Sequence, residues 1–245
     1  MQDTQGSSSH ATIGILALQG AFAEHQTMLQ KVSKHQVTTI LVRTPEDLAQ
    51  CDALIIPGGE STTIALLAKL SGLLEPLKEF VQTKVVWGTC AGAILLAQHV
   101  SNPKKGGQEV LGGMTLTVAR NGWGSQVESF EAPLEIDGLR DSNIPFIGIF
   151  IRAPVIQHLT PTPSSPPIKI VARLPPGILP PPHPTSTLPS TEIETAQPHP
   201  DETIVALRQG RHLLTTFHPE LTRDHRFHEY FVKECVLPFV ESESP

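Results

Sequence analysis

Aromatic residues are scarce in this chain: nine Phe, two Trp and a single Tyr among 245 residues. Cysteine is scarcer, limited to Cys51, Cys90 and Cys235. Three scattered thiols cannot build a disulfide framework, and they suit a reducing, cytoplasmic setting. Positive charge is in deficit, since 18 Lys+Arg against 24 Asp+Glu leave a net charge of −6. A nucleic-acid partner would demand a basic face, so that class is disfavoured. No apolar run reaches the ~20 residues that span a bilayer, which argues against a membrane partner. The opening MQDTQGSSSH has no basic residue and no apolar stretch, unlike a secretory signal or a transit peptide. Residues 1–11 read as a polar tail before a domain over 12–240.

Proline breaks the pattern of scarcity. Of 23 prolines, thirteen fall between Pro161 and Pro200. Each removes a backbone donor and fixes φ, so most of 160–200 cannot be helix or central strand. This stretch reads as a proline-rich, largely flexible surface insertion within the domain. Ile168–Ala172 (IKIVA) is a strand candidate inside it that would tie the insertion to the core. PxxP pieces also suit SH3-type recognition, but a length-tolerant loop is the simpler reading, because added loop length costs little.

Elsewhere short apolar runs alternate with helical spacing. Ile13–Leu18, Thr38–Val42, Ala53–Ile56 and Val85–Trp87 read as strands. Helical patterns follow at Phe22, His25, Leu29 and Val32, at Thr63–Leu70 with Ser61 as N-cap, and at Ala91–His99. Later strands are expected at Met114–Ala119, Phe146–Ile151, Ile204–Leu207 and Leu213–Phe217, with a closing helix at Arg226–Cys235. This alternation predicts an α/β fold, a mostly parallel central sheet flanked by helices on both faces. The later strands include an antiparallel part.

Gly88-Thr89-Cys90-Ala91-Gly92 lies between a predicted strand and helix. It is a cysteine version of the G-x-S-x-G nucleophile elbow, where side chains two residues either side of the nucleophile would collide with backbone. A thiol there meets a helix N-terminus, which favours the thiolate, and the Ala91 N–H can face an oxyanion. The plainer reading is a buried cysteine beside packing glycines. Cys51 and Cys235 have no such setting and read as ordinary residues.

A cysteine nucleophile needs a base and an orienting group. Among eleven histidines, His218 follows a strand candidate and precedes Pro219-Glu220. A strand end is where α/β folds gather their sites. Glu220 is close enough in sequence to orient the imidazole, although a satisfied surface turn would look the same. Pro57-Gly58-Gly59-Glu60-Ser61 follows another strand; its glycines allow close approach to a ligand, with Gly59 N–H as a second oxyanion donor. His225 and His228 alone suggest a metal pair, but no third ligand has a sensible spacing, so no metal or other cofactor is expected.

These pieces resemble the class I glutamine amidotransferases and, more narrowly, the SNO/PdxT family of pyridoxal 5′-phosphate synthase glutaminase subunits. The resemblance runs through IGILALQGAFAEH (13–25), LIIPGGESTT (54–63), WGTCAGAILLA (87–97), RNGWGSQVESFEA (120–132), FIGIFIRAP (146–154) and TTFHPELTRDHRFHEYFV (215–232). It implies hydrolysis of L-glutamine to glutamate and ammonia, with the ammonia passed to a separate synthase subunit for vitamin B6 synthesis. It implies Cys90 as nucleophile, His218 as general base and acid, and Glu220 as orienting carboxylate. Gly59, Glu60, Ser61, Arg120, Ile151 and Arg152 match glutamine contacts. Gln19 matches a residue of the oxyanion site and of communication with the synthase.

Two features depart from the family pattern. Ser125 replaces the second arginine of Arg-Asn-x-x-Gly-Arg-Gln, which removes a charge near the expected site or subunit interface. The proline-rich insertion is the other. Three rivals remain: a glutaminase serving another synthetase, an inactive docking subunit, and a cysteine peptidase on a related fold.

Overall fold

Apolar runs that alternate with helices become adjacent parallel strands, because right-handed crossovers lay each helix back on the sheet. The computed structural model describes residues 10–32, 36–103, 106–120, 122, 129–178 and 199–243. The first half runs β1 (Ala11–Leu16), α1 (Phe22–Lys31), β2 (Val37–Val42), α2 (Pro45–Ala49), β3 (Ala53–Ile56), α3 (Ser61–Leu70), α4 (Leu74–Thr83), β4 (Val85–Thr89) and α5 (Ala91–Leu96). Then come β5 (Ala97–Ser101), β6 (Met114–Ala119), β7 (Ser129–Leu134), β8 (Phe146–Ile151), β9 (Val155–Leu159), β10 (Ile168–Arg173), β11 (Ile204–Gln209) and β12 (His212–Thr215). Helix α6 (Arg226–Tyr230) continues through a π-helical stretch, Phe231–Val236, into α7 (Leu237–Glu243).

The central sheet has seven strands in the order β10-β11-β12-β4-β3-β1-β2. Pairings from β12 through β4, β3 and β1 to β2 are parallel, and β10-β11-β12 is the antiparallel part. Strands buried on both faces need apolar residues at every position, and β3 (ALII) and β4 are buried throughout. One face packs Ile13, Ile15, Ile55 and Trp87 with Phe217, Phe227 and Phe231. The other packs Leu16, Leu54, Ile56 and Val86 with Ile64, Leu77 and Leu95. Each such side chain contributes about 1.5–3 kcal/mol by leaving water.

Several local expectations change. Strand β1 begins at Ala11, inside the expected tail, and ends at Leu16 rather than Leu18. The helix expected over Ala91–His99 stops at Leu96; Ala97–Ser101 pairs with β6 instead, so available backbone partners override helical spacing. Glu60, not Ser61, caps α3, its carboxylate accepting from the Thr63 N–H at 2.8 Å. Strands β7 and β9 and helices α2 and α4 were not anticipated. Helix α2 had a readable signal, the Thr44–Asp47 capping box with Pro45 at the first turn. Within the proline-rich stretch, β10 pairs antiparallel with β11 as an edge strand, and Val171 and Ala172 are buried. Residues 179–198 of that stretch lie outside the described residues.

Candidate active site

Four neighbouring parallel strands, β1, β3, β4 and β12, end on one edge of the sheet, and their following loops carry Gln19, Gly58-Gly59, Cys90 and His218. Chain direction diverges between β1 and β3, which opens a crevice at that edge. Two backbones close it. Gly20 has φ +101°, and any Cβ there would overlap the Gly58 carbonyl. The Ala21 N–H donates to that carbonyl at 3.0 Å, and the Glu60 N–H donates to Gln19 Oε1 at 2.8 Å.

Cys90 occupies the turn from β4 to α5 with φ +48° and ψ −100°. A non-glycine residue there holds strain of about 1–3 kcal/mol, which the surroundings must sustain. The Cys90 N–H donates to the Thr215 carbonyl of β12 at 2.9 Å, and Ile94 N–H donates to the Cys90 carbonyl at 3.3 Å. The flanking glycines are needed for space: a Cβ on Gly88 would lie 2.6 Å from the Gly92 carbonyl carbon, and one on Gly92 would overlap the Ile56 carbonyl. The thiol faces the Ile151 carbonyl, with Sγ to oxygen at 3.9 Å.

His218 follows β12 and is anchored by its N–H to the Ile149 carbonyl at 2.7 Å. Its Nδ1 lies 2.7 Å from Glu220 Oε1. Both residues are buried. Burial lowers the His218 pKa, but hydrogen bonds and charge from Cys90 and Glu220 outweigh it and raise the pKa to about 10. Burial opposes ionisation of Glu220, yet interactions with His25 and His218 hold its carboxyl below the ordinary range. The triad expected from sequence therefore converges at one strand edge.

A second group lies beside it. Arg120 Nη2 donates to Glu60 Oε1 at 2.7 Å, and Nη1 donates to Gln108 Oε1 at 2.8 Å. Ser61 Oγ donates to the same Gln108 oxygen at 2.9 Å. Glu60 thus links the cap of α3 to Arg120. Gln108 had no distinguishing sequence signal; it joins only because the chain after β5 returns over α3. Ile151 ends β8 and Arg152 follows it; both are exposed, and Arg152 has φ +44°.

A family profile described as SNO glutamine amidotransferase family matches residues 15–169 and 169–237. The chain belongs to this family. It is 43% identical over 222 residues to the pyridoxal 5′-phosphate synthase subunit PdxT of Herpetosiphon aurantiacus, covering 90% of this chain and 98% of the relative. It is 41% identical over 226 residues to the PdxT subunit of Streptomyces griseus, covering 92% and 96%. A crystal structure of a glutamine amidotransferase matches with TM-score 0.69 at 36% identity, covering 94% of this chain and 98% of that one. The α/β amidotransferase fold expected from sequence is the fold observed.

In this amidotransferase, Cys51 and Cys235 are far in sequence from the strand edge that carries Cys90 and lie in the core. All three are free thiols, but burial pushes Cys51 and Cys235 up to about 12, which makes both poor nucleophiles. His225 is half-buried at the start of α6, while His228 is fully buried against His25 and Trp87. Among the described residues, His158, His199 and Asp201 bring ligand-type atoms within 4.8 Å of one another. They already serve the chain fold: Asp201 Oδ2 accepts from Leu159 N–H, and His199 Nδ1 accepts from Asp201 N–H. His199 lies within the proline-rich stretch. Ser125 lies outside the described residues.

Proposed function

We propose that this chain hydrolyses L-glutamine to L-glutamate and ammonia in the cytoplasm and delivers the ammonia to a separate pyridoxal 5′-phosphate synthase subunit. The carrying observation is Cys90 at positive φ on the strand edge that also holds the 2.7 Å His218–Glu220 pair. Relatives more than 40% identical across nearly the whole chain are named as subunits of that synthase.

In this reading the Cys90 thiolate attacks the side-chain amide carbon of glutamine. The tetrahedral oxyanion is stabilised by the backbone N–H groups of Ala91 and Gly59. Gln19 completes that site: its Oε1 is held by Glu60, so its NH2 is the end that donates. His218, protonated at neutral pH, gives its proton to the departing ammonia, and a γ-glutamyl thioester remains on Cys90. Neutral His218 then takes a proton from water, whose hydroxide attacks the thioester. Glutamate leaves, and the Cys90 thiolate and protonated His218 are restored. Glu220 orients the imidazole and stabilises its charged form.

Substrate recognition falls to Gly59, Glu60, Ser61, Arg120, Ile151 and Arg152. The Glu60 carboxylate, set by Arg120 and the cap of α3, suits the substrate ammonium, and the Ile151 carbonyl beside Sγ suits its amide NH2. The substrate carboxylate falls to Arg120 or Arg152, a role in which a guanidinium outperforms Lys. Ser125 leaves this set intact. The domain takes in Ala11, where β1 begins, and β10, which lies within the 160–200 stretch but pairs in the central sheet; the rest of the proline-rich stretch takes no part in the chemistry.

The test is glutamate release by the purified chain with and without a pyridoxal 5′-phosphate synthase subunit. Release that rises with the partner and vanishes in Cys90→Ala is expected. A stable complex with no release in either condition would make this an inactive docking subunit; no complex would point to another synthetase.

A further inference from the structure

Glu220 has two oxygens, and only one is accounted for by the triad. Oε1 meets His218; Oε2 is buried and has no hydrogen-bond partner within normal geometry. Nε2 of His25 on α1 lies 3.4 Å from it. The same Nε2 lies 3.2 Å from Thr89 Oγ1, one residue before Cys90. His25 Nδ1 lies 2.9 Å from Nε2 of His228 on α6, and His228 Nδ1 is buried without a partner. Both imidazoles are fully buried. Burial is the main cause that pushes each down to about 3, so both are neutral and each carries one N–H.

Two arrangements of those protons are possible, and the structure separates them. If His25 carried its proton on Nδ1, its bare Nε2 lone pair would face a carboxylate oxygen in the buried core. His228 Nε2 would then accept, and its Nδ1–H would be a buried donor with no acceptor. If His25 carries the proton on Nε2, that N–H can donate to Thr89 Oγ1, and its positive end faces Glu220 Oε2 3.4 Å away. His228 then donates from Nε2, and only a bare Nδ1 lone pair is orphaned. Orphaned buried N–H groups are the rarer and costlier defect. Both ends of the pair therefore favour the same tautomer.

We propose that His25 is a positioning residue of the triad: its Nε2–H, oriented by His228, holds the second oxygen of Glu220 and thereby the aim of His218. The pair extends the file Cys90–His218–Glu220 into the core across α1 and α6. Trp87 walls it, with its ring centroid 5.5 Å from His25 and 5.0 Å from His228. The inference rests on the glutaminase reading only for its kinetic consequence.

The test pairs a tautomer measurement with two substitutions. In the full-length chain labelled with 15N-histidine, long-range 1H–15N correlation at neutral pH reads which nitrogen carries each proton. Nε2–H on both His25 and His228 is expected; Nδ1–H on His25 would overturn the proposal. Glutamine places an amide NH2 near the former Nε2, and asparagine places one near Nδ1. With the synthase subunit present, His25→Asn is expected to lower kcat about 30-fold with KM within about twofold, while His25→Gln recovers to within about threefold of wild type. Equal losses in folded, partner-binding His25→Asn and His25→Gln would reduce His25 to core packing. If wild type itself releases no glutamate, the glutaminase reading fails, and the tautomer decides the hydrogen-bond assignment by itself.

Discussion

Acidification from pH 7 to pH 5 should destabilise this protein while its carboxylates remain ionised. The cause is three imidazoles buried in neutral form. His25 and His228 are pushed to about 3, and His212 to about 4, with burial the leading cause in each. In the unfolded chain each returns to the ordinary 6.5, so between pH 7 and pH 5 the unfolded state takes up protons that the folded state refuses. Stability is then present above the unfolded pKa and declines as pH falls toward the folded values. Integrated over this interval, each imidazole costs about 2 kcal/mol, or about 6 kcal/mol for three. His218 acts in the opposite direction. Its folded pKa of about 10 makes its contribution complete below 6.5 and lost as pH rises through 10, returning about 1 kcal/mol over the same interval. The net loss of about 5 kcal/mol is a large share of the 5–15 kcal/mol typical of a domain. Urea unfolding at pH 7.0 and 5.0, followed by circular dichroism, reads it directly. A loss under about 1 kcal/mol would refute neutral burial of these histidines, and with it the proton assignment around Glu220.

Other perturbations follow from contacts already described. Cys90→Ala should abolish glutamate release while leaving the circular dichroism spectrum and synthase binding unchanged; loss of binding as well would indicate misfolding. In Gly58→Ala the new Cβ would lie 2.8 Å from His218 Nδ1 and press on the ring, so kcat should fall more than about tenfold with melting temperature little changed. Arg226 is buried, donating to the carbonyls of Arg140, Asp141 and Ile144 and to both oxygens of Asp224. Lysine cannot reproduce that fork, so Arg226→Lys should cost about 2–3 kcal/mol in urea unfolding. Replacing residues 179–198 by a short Gly-Ser linker should leave glutamine turnover within several-fold of wild type; complete loss in a folded protein would give the insertion an active role.

Much of the chemistry was legible in one dimension because its constraints are local. The glycines at 88 and 92 are demanded by a turn only five residues long, and His218 and Glu220 are two residues apart. The strands of the parallel sheet were legible too, since burial on both faces requires unbroken apolar runs. What could not be read were assignments that depend on a partner far along the chain. Residues 97–99 continue the helical spacing of Ala91–His99 but fall in β5 because β6 offers a backbone to pair with. Gln108 joins Ser61 and Arg120 only after a long return of the chain. His225 and His228 looked paired by spacing, yet His228 is buried in the core, where it meets a residue 203 positions away.

The sequence by itself determined the family, the strand–helix alternation and the identity of the three residues proposed for catalysis, because short-range sterics and backbone geometry leave few residue types that fit. Tertiary structure alone decided which groups surround Glu220. A carboxylate buried between the charged His218 and the neutral His25 depends on four separate elements, α1, β4, α6 and the turn after β12, meeting in the core. No local pattern encodes that meeting; it follows from packing both faces of one sheet.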